Sequence, residues 1–242
     1  MQIDPIHPFE LHPYGSLTIL GFDISPNKAV VTMWIIAALI IFWFYSVGRE
    51  RRLIPTRMQS IAEMMVEFIK SMILDTIGKE GLRFFPFIMT LFLFILFSNL
   101  LGLIPGSYTV TSQFAVTGAF AIFIYGMSLV VGFYWHGFRF LGILVPSGIP
   151  PVLIPLMVPI EIISQLARPL SLAIRLFANM TAGHMMLAVL FGMAVSLPFW
   201  IGWSPFVFTI AIGVLELGIA FIQAYIFTIL TCVYLGDAIN LH

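Results

Sequence analysis

The sequence predicts an all-α integral membrane protein. It has five membrane-crossing helices and one amphipathic in-plane helix, and the last two crossings form a long, strongly tilted antiparallel hairpin. Three observations predict this. Of the 242 residues, 60% are hydrophobic and only 9% are charged, where a soluble domain carries about a quarter charged residues. Mean hydropathy is +1.06. Several apolar runs approach or exceed the roughly 20 residues that a helix needs to cross a bilayer.

The elements follow in order. An outer tail, 1–28, opens with MQIDPIHPFELHPYG, which is polar, acidic and proline-containing. It lacks the basic and apolar regions of a signal peptide and the arginines of a transit peptide. His7 and His12 have no other ligand residue nearby and read as solvated, not metal-binding. The first span, 29–47, stops at GRERRLIPTR, where Arg49, Arg51, Arg52 and Arg57 mark the cytoplasmic or matrix side. The N-terminus is therefore expected outside. From 56 to 78, Ile61, Met64, Met65, Phe68 and Met72 keep helical spacing while Gln59, Glu63, Glu67 and Lys70 are polar. This segment is too charged to span comfortably and reads as an amphipathic helix along the inner surface. A partly buried helix packed beneath the others is the alternative. The second span, 84–104, ends at Pro105, and the uncharged SYTVTSQ turns outside. The third, 114–134, exits at HGFRF, where Arg139 again marks the inner side. Of the eleven Lys and Arg, only Lys28 falls outside.

The proline- and glycine-rich LVPSGIPPVLIPLMVP is a bent entry to the next helix. Residues 151–197 as one helix would reach about 70 Å, against a hydrocarbon core of about 30 Å. The helix must kink or tilt, with Pro155, Pro159 and Pro169 as candidate bends. Residues 205–236, about 48 Å long, are also longer than the bilayer is thick, and tilt suits both. PFWIGW, 198–203, is the outer turn, with Trp200 and Trp203 suited to the interface. DAINLH returns the C-terminus inside. Cys232 is the one cysteine, so no intrachain disulfide is possible, and it reads as a small buried hydrophobe.

The last two helices hold nearly all the intramembrane ionisable groups, which are functional by default. Glu161, Arg168 and Arg175 recur every seven residues and Asn179 follows four later, so they share a stripe. On the final helix Glu216, Gln223 and Asp237 are separated by multiples of seven. In an antiparallel pair, residues at one depth are centred on the turn. Glu161 with Asp237, Arg175 with Gln223 and His184 with Glu216 are all centred on residue 199 or 200. This suggests two carboxylates near the inner face, Arg175 with Gln223 in the middle, and His184 with Glu216 toward the outside; a slip of one turn at the kinks would leave that order unchanged. His184 lies about half a turn around its helix from Arg175, so two polar routes would run on different faces with the arginine between them.

Each residue has a plainer reading. His184 and Glu216 would also make a hydrogen-bonded clasp between helices, and Glu161 and Asp237 would also be solvated helix ends. Arg168 would reach lipid phosphate or snorkel. Arg175 would also make a structural ion pair with Glu216 or Glu161, but neither acid is at its level, and a mid-membrane arginine costs between roughly 2.5 and more than 10 kcal/mol. Its partner is best supplied by another chain.

At these residues the sequence resembles subunit a of the F-type ATP synthase. The resemblance covers nearly the whole chain and is most specific in SNLLGLIPG (98–106), VPIEIISQLARPLSLAIRLFANMTAGH (158–184) and the helix from Glu216 to Asp237. It implies a stator subunit in a multi-pass inner membrane protein complex, bacterial or mitochondrial, with partners in the c-subunit ring, the peripheral-stalk b-type subunits and the rest of the synthase. It also implies that Arg175 faces a ring carboxylate, stabilises its deprotonated form and blocks direct proton passage. Glu216, His184, Asn179 and Gln223 would line the outer proton half-channel, and Glu161 and Asp237 the inner one. Many bacterial members place an acid where His184 stands and a histidine where Glu216 stands, so the pair is exchanged here. Ala178 occupies a site where glycine is common.

No GxxxxGK[ST] loop occurs, so nucleotide chemistry is expected on other subunits and this chain is not expected to be an enzyme by itself. No cofactor, metal or nucleic-acid partner is expected either. The rivals are a self-contained channel or transporter, for which the internal repeat common in transporters is missing, and an assembly subunit with no part in translocation.

Overall fold

A computed structural model describes residues 18, 19, 22, 23, 27–49, 55–104, 108–144 and 153–240. His7, His12, Arg51, Arg52, Pro105 and residues 145–152 of the expected bent entry lie outside them. Two-residue strands β1 (Thr18–Ile19) and β2 (Phe22–Asp23) pair antiparallel. The rest is helix: α1 Lys28–Arg49, α2 Arg57–Thr76, α3 Phe85–Gly102, α4 Phe114–His136, α5 Ile154–Ser196 and α6 Phe199–Ile239. Short 3-10 turns occupy Lys79–Phe84, Val110–Ser112 and Gly137–Leu144. Among the described residues, five helices are long and apolar enough to cross a membrane, α3 together with the 3-10 turn that leads into it. This is the all-α membrane architecture that composition predicts.

α2 is the helix outside that set. The Thr56 hydroxyl caps it by accepting from the Gln59 amide at 3.4 Å, which satisfies one of the free N–H groups of the first turn. Ala62, Ile69 and Ile73 are buried along one face, and Glu63, Glu67 and Lys70 are exposed. Met58, Ile61, Met64 and Phe68 are also exposed, so α2 carries apolar side chains on two faces.

Pro155 is the second residue of α5, where an N–H would have no helical partner. The helix continues through Pro159 and Pro169; each removes one hydrogen bond from the ladder. α6 starts at Phe199, six residues before the expected start at Pro205, which lies inside the helix. Most of PFWIGW is thus helical, and the connection shrinks to Leu197–Pro198. The Pro198 carbonyl accepts from Ile201 and Gly202 at 2.9 and 3.0 Å, which starts the helix at once. The tightness depends on Gly202: a Cβ there would lie 2.7 Å from the Ala194 carbonyl oxygen.

The chain forms two compact units, each built from three separated segments. One comprises 1–50, 93–113 and 176–224; the other 51–92, 114–175 and 225–242. In the first, Trp43 of α1 meets Phe97 of α3 with ring centroids 6.0 Å apart. In the second, Phe68 of α2 lies 5.9 Å from both Phe92 and Tyr225. The ring of Phe140 fills the space where Gly132 has no side chain; a Cβ there would be 2.3 Å from it. The end of α6 is tied down by two bonds. His136 Nε2 donates to the Ile239 carbonyl at 2.9 Å, and the Asn240 amide donates to the Ile77 carbonyl at 3.2 Å.

Candidate functional site

The first unit gathers Asn179, His184, Glu216 and Gln223. Glu216 is 5% exposed and Gln223 1%. Gly183 lies against the Glu216 carboxyl: a Cβ on Gly183 would come within 1.9 Å of Oε1 and 2.7 Å of Cδ. The Asn179 amide donates to Gln223 Oε1 at 3.3 Å. The clasp that the sequence allows between Glu216 and His184 is not formed. Both carboxyl oxygens of Glu216 are buried without a hydrogen-bond partner, as is Nδ1 of His184. The histidine is held from the other nitrogen: Nε2 lies 2.5 Å from the Gly102 carbonyl and 2.7 Å from Thr109 Oγ1.

Ser98 Oγ, Thr181 Oγ1 and Gln223 Nε2 are likewise buried and unpartnered. Leaving such groups dry costs about 1–3 kcal/mol each, so several together in one unit are a setting for ordered water. Beside them Asn99, fully buried, accepts from Thr111 at 2.9 Å and donates to the Ala220 carbonyl at 3.4 Å. The Tyr108 hydroxyl accepts from the Gln113 amide. Burial pushes its phenol above the ordinary range, so it stays protonated.

The second unit holds Glu161, Arg168, Arg175 and Asp237. Gln165 Nε2 donates to Glu161 Oε1 at 3.0 Å, one turn along α5. Arg168 and Asp237 form an ion pair at 3.7 Å with side chains 42% and 46% exposed. At that distance and exposure the pair contributes less than about 1 kcal/mol and opens easily. A cavity of about 280 Å³ reaches Asp237, Gln165, Tyr125 and Tyr234 between apolar walls that include Leu129 and Phe133. Arg175 is exposed, and among the described residues it has neither an ion pair nor a hydrogen bond. Along α5 the exposed residues Arg168, Ser171, Arg175, Ala178 and Ala182 make one stripe, in which the arginines alternate with small side chains. Among the described residues no three His, Cys, Asp or Glu are grouped as metal ligands.

The register between α5 and α6 departs from the expected one. Gln223 takes Asn179 and not Arg175, a slip of one turn. Asp237 takes Arg168 and not Glu161, a slip of two turns. At Glu216 the expected level holds, since its neighbour is Gly183, next to His184. Equal-depth counting assumes two straight helices of equal rise. Pro169, between the turn and Arg168, removes a hydrogen bond and lets the axis of α5 depart from that line; the Asn179 contact lies on the turn side of both prolines and is a one-turn reach between side chains.

The sequence does not single out Gly102, Thr109 or Asn99. A backbone carbonyl leaves no mark in a sequence, and Thr109 sits in an uncharged loop. A signal for Asn99 existed, because it is an amide inside an apolar span.

A family model for the ATP synthase A chain matches residues 30–236. The ATP synthase subunit a of Magnetococcus marinus is 48% identical over 245 residues, covering 100% of this chain and 95% of its own. That of Rhodospirillum rubrum is 46% identical over 238 residues, covering 98% and 99%. That of Sinorhizobium medicae is 47% identical over 246 residues, covering 99% and 98%.

Proposed function

Because the chain belongs to the ATP synthase subunit a family, it is a multi-pass membrane component of a proton-translocating F-type synthase, and we propose that it supplies both proton half-channels and the arginine that separates them. Arg175 carries this reading. It is exposed and, among the described residues, pairs with no acid, and its guanidinium stays charged at any working pH. The counter-charge is a carboxylate on a rotating c-ring. The small residues Ser171, Ala178 and Ala182 on the same stripe suit the close approach of another helix.

In this mechanism a proton enters from the outer side through Glu216 and His184, with Asn179 and Gln223 beside the path. Their buried, unpartnered polar atoms support a wet passage. The proton neutralises a ring carboxylate, which can then turn into lipid. After nearly a full revolution the carboxyl meets the inner half-channel, formed by Glu161 and Asp237. The loose Arg168–Asp237 pair and the adjoining cavity support an access that opens and closes. Arg175 favours the deprotonated carboxylate and bars direct passage between the two routes. One charge moving across 100 mV releases about 2.3 kcal/mol, and rotation is the only route by which it is released.

The same reading puts the chain in a bacterial or mitochondrial inner membrane, N-terminus outside and C-terminus on the cytoplasmic or matrix side, with b-type stalk subunits among its neighbours. The test is Arg175→Ala in the whole synthase. ATP-driven proton pumping and proton-driven ATP synthesis should both be abolished, and Arg175→Lys should be nearly as harmful because it exchanges a permanent fork for a deprotonatable ammonium. Near-normal coupled pumping in vesicles carrying Arg175→Ala would refute the assignment.

A further inference from the structure

Around His184 the hydrogen bonds decide which ring nitrogen carries a proton. Nε2 lies 2.5 Å from the Gly102 carbonyl oxygen and 2.7 Å from Thr109 Oγ1. The Thr109 hydroxyl itself donates to that same carbonyl at 3.4 Å. A carbonyl oxygen only accepts, so the short contact requires a hydrogen on Nε2. The hydroxyl closes the triangle, accepting from Nε2–H while its own hydrogen points to the carbonyl. In a neutral imidazole the other nitrogen then holds the lone pair. That nitrogen, Nδ1, is buried and has no partner. The preceding residue, Gly183, lies against the Glu216 carboxyl.

We propose that Thr109 and the Gly102 carbonyl lock His184 in its Nε2–H form, so that Nδ1 is the single atom through which the ring takes up and returns a proton. Thr109 is a positioning residue in this scheme, which rests on reading His184 as part of the proton pathway. A histidine open at both nitrogens passes a proton through by accepting at one and releasing at the other. Here the Nε2 side is closed. The carbonyl takes no proton, and the hydroxyl's hydrogen is committed to that carbonyl. A proton arriving at Nδ1 makes an imidazolium with both nitrogens protonated, the bond from Nε2 to the carbonyl becomes charge-assisted, and the same proton leaves from Nδ1. Among the described residues, the titratable group that α6 brings beside Gly183 is Glu216. Nε2 meets the Gly102 carbonyl at the end of α3 and the Thr109 hydroxyl after it, neither of which titrates.

The complete synthase, labelled with ¹⁵N in its histidines and reconstituted in lipid, tests this. His184→Gln identifies the His184 signals by their loss. In the neutral ring the lock requires a protonated Nε2 and an unprotonated Nδ1. Thr109→Val removes the hydroxyl at nearly constant shape. With that partner gone the ring is free to turn away from the Gly102 carbonyl, so the Nδ1–H tautomer should appear beside the Nε2–H form, the pH profile of proton flux should shift, and the flux should fall roughly two- to ten-fold, the range that one hydrogen bond sets. Thr109→Ser, which keeps the hydroxyl, should restore the flux and the single tautomer. A neutral ring that carries its hydrogen on Nδ1 and not on Nε2 in the unmodified protein overturns the lock, and so does Thr109→Val with unchanged spectrum and flux. Unchanged flux in His184→Gln would instead refute the pathway reading, a failure that the tautomer signal keeps separate.

Discussion

Replacing Gly183 by alanine adds one carbon and two hydrogens to a protein of 242 residues, yet the geometry predicts that it disables proton entry. The new Cβ would lie 1.9 Å from Glu216 Oε1, 2.7 Å from Cδ and 3.2 Å from Cγ. Non-bonded carbon and oxygen need more than about 3 Å, so the carboxyl must move by at least about 1 Å. It can do so at low cost, because Oε1 is the free end of a flexible side chain. The helix itself gains, since alanine is favoured over glycine by about 1 kcal/mol in a helix interior. Folding and assembly should therefore survive while the carboxyl is displaced, and a 1 Å misplacement of a reacting group costs up to about 100-fold in rate. Passive proton flux through vesicles stripped of the catalytic sector should fall about 10- to 100-fold, with normal amounts of assembled complex on a native gel. Glu216→Asp, one methylene shorter, should restore part of the flux in the Gly183→Ala background because the carboxyl draws back from the new methyl. Unchanged flux in Gly183→Ala would refute the reasoning. Lost assembly would refute it differently, by showing that the space serves packing and not the carboxyl.

Glu216→Gln should give a graded, pH-dependent loss of flux, and the exchange of His184→Glu with Glu216→His should recover part of it; normal flux in Glu216→Gln at every pH would reject the relay. Gly202→Ala should behave oppositely to Gly183→Ala. The atom in its way, 2.7 Å off, is the Ala194 carbonyl oxygen, which cannot swing aside, so a stability loss of about 1–3 kcal/mol follows. Lower thermal stability of the complex checks this, and an unchanged or higher melting temperature would contradict it.

Much of the architecture can be read from composition and periodicity, because a bilayer imposes length and apolarity on every crossing helix. Five apolar helices and an amphipathic one between the first and second follow from that constraint. The α5–α6 turn also lies where equal-depth counting centres it, near 199, since only a short hairpin brings His184 and Glu216 to one level. What the sequence hides is how one helix slides along the other. Asp237 with Arg168 depends on the helix path through Pro169, and Gln223 with Asn179 on how far the two side chains reach along their helices, neither of which a residue count contains. The lock on His184 was hidden for another reason: its strongest partner is the main chain of Gly102, which any residue at that position would supply.

The interleaving of the two units bears on how the protein is made. Each takes a segment from early, middle and late in the chain, the last ones being 176–224 and 225–242. No single cut separates them, so neither can be expressed as a contiguous fragment. During synthesis the early helices must wait in the membrane without their final neighbours, and the first unit cannot close until α6 has been made as far as Ala224. The second waits for the remainder, including Ile239 and Asn240, whose bonds to His136 and Ile77 seal it. Contacts this distant in sequence close slowly. The half-made chain, with His184 and Arg175 inserted before Glu216 and Asp237 exist, is the state that an insertion factor would have to protect.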